Sequence, residues 1–244
     1  MREWCQRNTW WLALLLLPIW PLRGSLLTGE IPGAGPDVLS TLWGMWWFGQ
    51  EWSGAAWGGW TGLANGGVDA TGSAYGAYGA VLSPISALVW NLLEPLLGMG
   101  RAAALVGVLQ LGGLAVCTGL LLRDLGGTRV AAFAAGLGVL GLSQTFFGLA
   151  EGSVVSVSAL FVPLGILWLR RVSRIGTTEG GIFSLPAVWA ALCMVALSLE
   201  NPYLAPLLPL WAGLMLLGRL WTWKKCRVKP DGLEPLLLAL ALGA

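Results

Sequence analysis

The stretch AAALVGVLQLGGLAVCTGLLL, residues 102–122, indicates most clearly what kind of fold this chain adopts. Only Gln110 and Thr118 interrupt its apolar character. An apolar run of about 20 residues is the length that an α-helix needs to cross the hydrocarbon core of a bilayer. Charged residues make up only 11% of the chain, against about 25% in typical soluble domains. These features together predict a membrane protein.

Further apolar runs lie on both sides of this stretch. Backbone polar groups inside hydrocarbon must bond within their own segment, so each run is predicted to be an α-helix. The predicted spans are residues 4–22, 102–122, 130–150, 154–169, 182–199 and 203–221. We therefore predict an all-α, polytopic transmembrane helix bundle forming one domain over residues 1–244. A large outer loop, residues 23–101, would carry short interfacial helices.

The apolar runs at the two ends of the chain are both short for a membrane span. Basic residues precede the short first run, as in a secretory signal, but RGS follows it rather than a small-residue cleavage site. We favour a retained span. The last run, residues 233–244, is too short at 1.5 Å per residue to cross about 30 Å. We expect it to be part of a seventh span, and the chain to be the N-terminal part of a longer protein.

The distribution of basic residues predicts the orientation of the bundle. With the N-terminus in the cytoplasm, the inner segments are residues 1–9, 123–129, 170–181 and 219–232. These segments hold twelve of the fourteen basic residues, and only Arg23 and Arg101 lie outside them. Short cytoplasmic loops carry an excess of Lys and Arg, so this orientation is the predicted one.

The long outer loop contains two helix candidates and most of the candidate site residues. Residues 38–52 place several tryptophans at helical spacing, which is typical of a helix lying in the membrane interface. Residues 84–97 form the second candidate. Asp37 follows GAGP, where it is either a helix cap or a general base or metal-binding carboxylate. Asp69 lies in a glycine-rich turn region, and Arg101 is either an interfacial anchor or a phosphate ligand.

Two more carboxylates, Glu151 and Glu200, stand at the predicted outer turns between later spans. Acidic residues are tolerated on the outer side, so a purely topological role is one interpretation. Each nevertheless lies at the mouth of a helical hairpin, where a cleft would open. We therefore include both as candidate substrate-binding residues.

Several chemistries are excluded by the composition. Histidine is absent from the chain, which removes Ser/His and Cys/His pairs and Cys/His zinc sites. No phosphate-binding P-loop, no GxSxG motif and no feature typical of a nucleic-acid partner is present. The four cysteines, Cys5, Cys117, Cys193 and Cys226, are scattered and are predicted to be free thiols.

The order of these features resembles the integral membrane glycosyltransferases of the C type, the GT-C superfamily, in its bacterial polyprenyl-phosphate-sugar-dependent form. The segment GPDVLSTLWGMWWF resembles the start of their first outer loop, and SPISALVWNLLEPLLGMGRAAALVGVLQL the second loop helix leading into the next span. LLRDLGGTRVAAFAAGLGVLGLSQTFFGLAEG and LSLENPYLAPLLPL resemble later turns and spans of that group. Many members have a paired acidic motif where this chain has the single Asp37.

The resemblance implies transfer of a sugar from a polyprenyl-phosphate donor to an acceptor on the outer side of a bacterial cytoplasmic membrane. Asp37 would be the catalytic base, and Arg101, Glu151, Glu200 and Asp69 would bind substrate. No metal site or cofactor is predicted, although a divalent cation at the carboxylates is left open. The predicted partners are membrane lipid and the lipid-linked donor. The alternatives are a non-catalytic multi-pass protein, either an assembly partner or a degenerate relative, and a transporter of lipid-linked sugars.

Overall fold

A computed structural model describes residues 2–33, 42, 45, 84–142, 159–174, 184–200, 204–226, 237, 240 and 241. Eight α-helices have described bounds, residues 42, 45, 237, 240 and 241 are helical as well, and no strand occurs among the described residues. The helices are α1 (Arg2–Leu16), α2 (Ile19–Thr28), α3 (Pro84–Leu97), α4 (Met99–Asp124), α5 (Arg129–Leu140), α6 (Phe161–Val172), α7 (Leu185–Glu200) and α8 (Leu207–Cys226). The all-helical part of the prediction is confirmed for this part of the chain, and α3 has the predicted bounds.

The first apolar run forms two helices instead of one. The axes of α1 and α2 are bent by 53° at a break that contains Pro18. Proline has no N–H to donate and its ring crowds the preceding turn, so a break there is expected. The second helix continues past the predicted end of the span and stops at Gly29, whose φ of 80° is the left-handed conformation that favours glycine.

Helix α4 is the centre of the fold. It contains 26 residues and contacts α1, α2, α3, α5 and α6. The broken pair α1–α2 lies along its whole length, with Trp10 beside Gly119 and Leu26 bonded to Arg101. The stretch from residue 10 to residue 26 rises about 24 Å at 1.5 Å per residue, and the stretch from residue 101 to residue 119 rises about 27 Å. The pair therefore matches this part of α4 in length.

Gly112 has no side chain, which allows α1 to approach α4 closely. A Cβ atom added to Gly112 would lie 2.5 Å from the carbonyl oxygen of Leu15. Real Cβ atoms do not approach a backbone oxygen so closely, so any other residue would push the two helices apart. Gly138 on α5 has no atom within 4 Å of an added Cβ. Close helix packing through a glycine is thus observed at Gly112, whereas Gly138 takes no part in it.

The remaining helices form a second packed unit against α4. Helices α6 and α7 pack against each other, and α8 contacts α6. Their shared apolar core contains Leu169, Met194, Leu197 and Leu208, all almost fully buried. Helix α5 ends at Leu140, within the predicted span 130–150, and α6 begins at Phe161, within the predicted span 154–169. Residues 143–158 lie outside the described part.

One described helix, α4, is long and apolar enough to cross a membrane, and the bent pair α1–α2 is a second if it counts as one span. Four other apolar helices are shorter, namely Ile85–Leu97 within α3, α5, α7 and Leu207–Trp221 within α8. Large apolar side chains are exposed on several of them, including Leu92, Leu96, Leu192, Leu214 and Trp221. The described free thiols, Cys117 and Cys193, are buried within α4 and α7.

Candidate functional site

Glu200 is buried at the N-terminus of α3. It lies at the end of α7, and only 2% of its surface is exposed. Its Oε1 atom accepts hydrogen bonds from the backbone N–H groups of Ile85 at 2.5 Å and Ser86 at 2.9 Å. The first N–H groups of a helix have no partner within the helix, and its N-terminus carries partial positive charge. The carboxylate therefore stabilises the start of α3 in both respects.

Ser86 and Gln110 complete a buried polar cluster with Glu200. The Ser86 hydroxyl donates to Glu200 Oε2 at 2.5 Å. The Gln110 amide donates to Ser86 Oγ and, at 3.3 Å, to Glu200 Oε2. Among the described residues, no hydrogen-bond partner reaches the other amide atom, Gln110 Oε1. The cluster joins α3, α4 and α7, which are far apart in the sequence, by directed bonds.

A cavity of about 110 Å³ lies beside this cluster. It is lined by Ile85, Ser86, Val89, Val106, Leu109, Gln110, Leu160, Phe161 and Glu200. Most of these side chains are apolar, and the polar atoms of the cluster other than Gln110 Oε1 bond to one another or to the start of α3. An engineered apolar cavity of about 150 Å³ holds a benzene molecule, so this space has room for a small apolar group. The cavity therefore offers apolar contacts, and none of its lining residues is an evident catalytic group.

Arg101 stabilises the C-terminus of α2. Its Nε and Nη2 atoms donate to the carbonyl oxygens of Leu26 and Leu27, both at 3.1 Å. The last carbonyls of a helix lack partners and carry partial negative charge, so a cation is favourable there. These bonds use two of the five N–H groups of the guanidinium, and the residue is exposed. Its predicted binding of phosphate stays a prediction.

The long loop predicted to lie on the outer side is attached to the bundle at two described positions, Leu42 and Met45. Both are helical and buried, and they pack with Trp90 and Ala102 in one apolar cluster. The Asn91 amide donates to the Met45 carbonyl oxygen at 2.7 Å. These contacts join the tryptophan-rich segment to α3 and to the start of α4. At these two positions the loop is part of the core, and it is not a solvated linker.

A second polar cluster joins the other ends of α4 and α6. Asp124 accepts from Arg170 Nε and from Arg174 Nη1, each at 3.2 Å, and its side chain is 12% exposed. Arg219 of α8 donates to the Ser173 carbonyl oxygen. Asp124, Arg170 and Arg219 lie in three different predicted inner segments. These segments are residues 123–129, 170–181 and 219–232.

The structure brings together few of the residues proposed from the sequence. Asp37, Asp69 and Glu151 lie outside the described residues, and their predicted roles stay predictions. Glu200 and Arg101 each bind helix ends. No group of three or more acidic or cysteine residues within metal-binding reach occurs in the part of the chain that the structure describes.

Sequence reasoning missed Ser86 and underrated Gln110. Gln110 interrupts the most apolar stretch of the chain, and a polar residue inside a predicted span indicates a specific internal partner. That signal was present in the sequence. Ser86 has no such signal, because a serine in the first turn of a helix is common.

Comparison of the chain with protein-family models, with curated proteins and with solved structures finds no match. Its function therefore has to be inferred from its own residues.

Proposed function

We propose that the chain is a multi-pass membrane protein whose N-terminus is cytoplasmic. The observation in support is the separation of polar groups between two ends of the helices. Asp124, Arg170 and Arg174, from predicted inner segments, meet at one end. Glu200 and Ile85, from predicted outer segments, meet elsewhere in a second cluster. Exposed apolar side chains on α7 and α8 suit contact with lipid.

We further propose that this membrane protein transfers a sugar from a polyprenyl-phosphate donor to an acceptor on the outer side. The observation that carries this proposal is the attachment of the long loop to the core through Leu42 and Met45. These positions follow Asp37 in the sequence by five and eight residues. A loop held against the ends of spanning helices is suited to a substrate whose lipid tail remains in the bilayer.

In the proposed reaction, Asp37 accepts the proton of the acceptor hydroxyl as that oxygen attacks the anomeric carbon of the sugar. The bond between the anomeric carbon and the phosphate oxygen breaks, and the polyprenyl phosphate leaves with the electron pair. Arg101 stabilises the charge on the departing phosphate through its remaining N–H groups. Asp69 and Glu151 bind sugar hydroxyls, directly or through a divalent cation. Glu200 acts as a positioning residue that holds α3 in place.

The test is a transfer assay on the purified protein in liposomes, using radiolabelled polyprenyl-phosphate hexose and pentose donors with a lipid extract as acceptor source. Asp37→Asn should reduce the transfer rate at least about 100-fold, as expected for loss of a general base. Glu30→Gln is the matched control, since it removes a carboxylate from the same loop, and should retain the wild-type rate. Equal rates for Asp37→Asn and wild type would refute the assignment.

A non-catalytic role is the second candidate, and one observation favours it. Glu200 and Arg101, the two candidate site residues that the structure describes, both stabilise helix ends. Such contacts are equally useful to an assembly partner with this architecture. Wild-type protein that inserts and folds but transfers no sugar above a heat-inactivated sample, with either donor, would favour this role.

A further inference from the structure

We propose that the inner end of the α6–α7 pair binds an anionic phospholipid, with the lipid phosphate on Arg171. This inference rests on the proposed membrane location and not on sugar transfer. The site is defined by Arg171 and Trp168 of α6 and by Trp189, Leu192 and Val195 of α7. It is called the α6–α7 lipid site below.

The first argument is an excess of positive charge. Three arginines of α6 and its C-terminal turn, Arg170, Arg171 and Arg174, surround the carboxylate of Asp124. Counting these described residues alone, three positive groups less one negative group leave a charge of +2. Asp124 is within hydrogen-bond distance of Arg170 and Arg174, but Arg171 Nε lies 3.9 Å from it, beyond that distance. Arg171 therefore keeps most of its capacity to donate.

The second argument is the orientation of Arg171. Its guanidinium lies over the ring of Trp168, 4.7 Å from the ring centre. Trp168 stacks on Trp189 of the neighbouring helix, with ring centres 6.1 Å apart and planes inclined by 20°. A cation–π contact of this kind orients a side chain while leaving its N–H edge available. The side chain is also 46% exposed, so an external anion can reach it.

The third argument is the apolar surface that begins at the stacked rings. Leu185, Trp189, Leu192 and Val195 follow one face of α7 and are 67%, 44%, 50% and 41% exposed. From Leu185 to Val195 the helix rises about 15 Å, which is half of a hydrocarbon core about 30 Å thick. A cationic group beside an apolar stripe of this length matches one phospholipid, with its phosphate on the arginine and an acyl chain along α7.

The charge selects the class of lipid. A zwitterionic headgroup carries a cation beside its phosphate, which the three arginines would repel. An anionic headgroup such as phosphatidylglycerol has no such group, and juxtamembrane arginines attract anionic lipids. A soluble phosphate would use the arginines but would leave the apolar stripe without a role.

The experiment titrates detergent-purified full-length protein with phosphatidylglycerol or phosphatidylcholine and counts the bound lipids by native mass spectrometry. The wild-type protein should bind phosphatidylglycerol roughly tenfold more tightly than phosphatidylcholine, as expected for a charge-assisted hydrogen bond. Arg171→Gln should abolish this preference. Arg129→Gln is the control, because it removes the same charge from an exposed inner position on another helix, and should keep the preference. Inorganic phosphate at 10-fold excess over the lipid should not displace it.

Several results would overturn the inference. Equal losses for Arg171→Gln and Arg129→Gln would mean diffuse attraction by inner charges, and displacement by inorganic phosphate would mean a phosphate site. Binding of both lipids without preference would remove the α6–α7 lipid site but leave the membrane location and the transfer assay untouched. Failure of the protein to associate with either lipid would overturn the membrane proposal as well.

Discussion

Replacing Glu200 by alanine should greatly destabilise the protein, although this residue lies outside the proposed chemistry. The carboxylate is 2% exposed and accepts from the backbone N–H groups of Ile85 and Ser86. Removal leaves the buried N–H of Ser86 and the partly buried N–H of Ile85 without this partner. Each such donor costs about 1–3 kcal/mol, and the loss of an anion at a helix N-terminus adds about 0.5–1 kcal/mol. We expect Glu200→Ala to lower the free energy of unfolding by roughly 3–5 kcal/mol.

The Glu200→Gln substitution removes the negative charge but keeps the size and shape of the side chain. Its amide oxygen can still accept from both backbone N–H groups of α3. Its new NH₂ group can donate to Gln110 Oε1 if the Gln110 amide turns over, since that oxygen has no partner among the described residues. The charge is lost, and so is the oxygen that accepts the Ser86 hydroxyl, at a combined cost of about 1–2 kcal/mol. The glutamine variant should therefore lie between wild type and Glu200→Ala.

The measurement is unfolding of the micelle-bound protein by SDS titration, followed by tryptophan fluorescence. Glu30→Ala is the control, since this carboxylate is exposed and its removal should change the free energy of unfolding by under about 0.5 kcal/mol. A loss below about 1 kcal/mol for Glu200→Ala would refute the reasoning. So would equal losses for the alanine and glutamine variants.

Two other substitutions test the packing and the inner cluster by the same titration. Gly112→Ala should destabilise by about 1–3 kcal/mol through overpacking, because its Cβ would lie 2.5 Å from the Leu15 carbonyl oxygen. Gly138→Ala, with nothing within 4 Å, should be neutral or slightly stabilising, and the opposite order would contradict the observed helix approach. Asp124→Asn should cost about 1 kcal/mol at low salt, and no difference from wild type would mean that the ion pairs with Arg170 and Arg174 contribute nothing measurable.

The positions of the helices were largely predictable because the signals are local. The bounds of α3 follow from Pro84, a residue favoured in the first turn of a helix, and from the apolar run behind it. The central part of α4 follows from the apolar run at residues 102–122. The break at Pro18 is likewise a local effect of proline.

The extent of α2 could not be predicted in the same way. Its sequence contains Pro21 and Gly24, which argue against a helix in isolation. The helix forms because Leu22 packs against Ala104 and Val108 of α4. Its last carbonyls are bonded by Arg101, more than 70 residues later. Tertiary contacts thus overrode a weak local preference.

The candidate site likewise has some features that depend on the sequence alone and others that depend on folding. The types of residue and their order in the chain predict the membrane class, exclude histidine chemistry and show the sorting of basic residues, because these do not depend on position in space. The grouping of Ser86, Gln110 and Glu200 depends on folding, since their hydrogen bonds join residues 24, 90 and 114 positions apart. No periodic pattern encodes such partners. The packing of α3 and α7 against α4 brings them within bonding distance, and burial then makes every bond among them necessary.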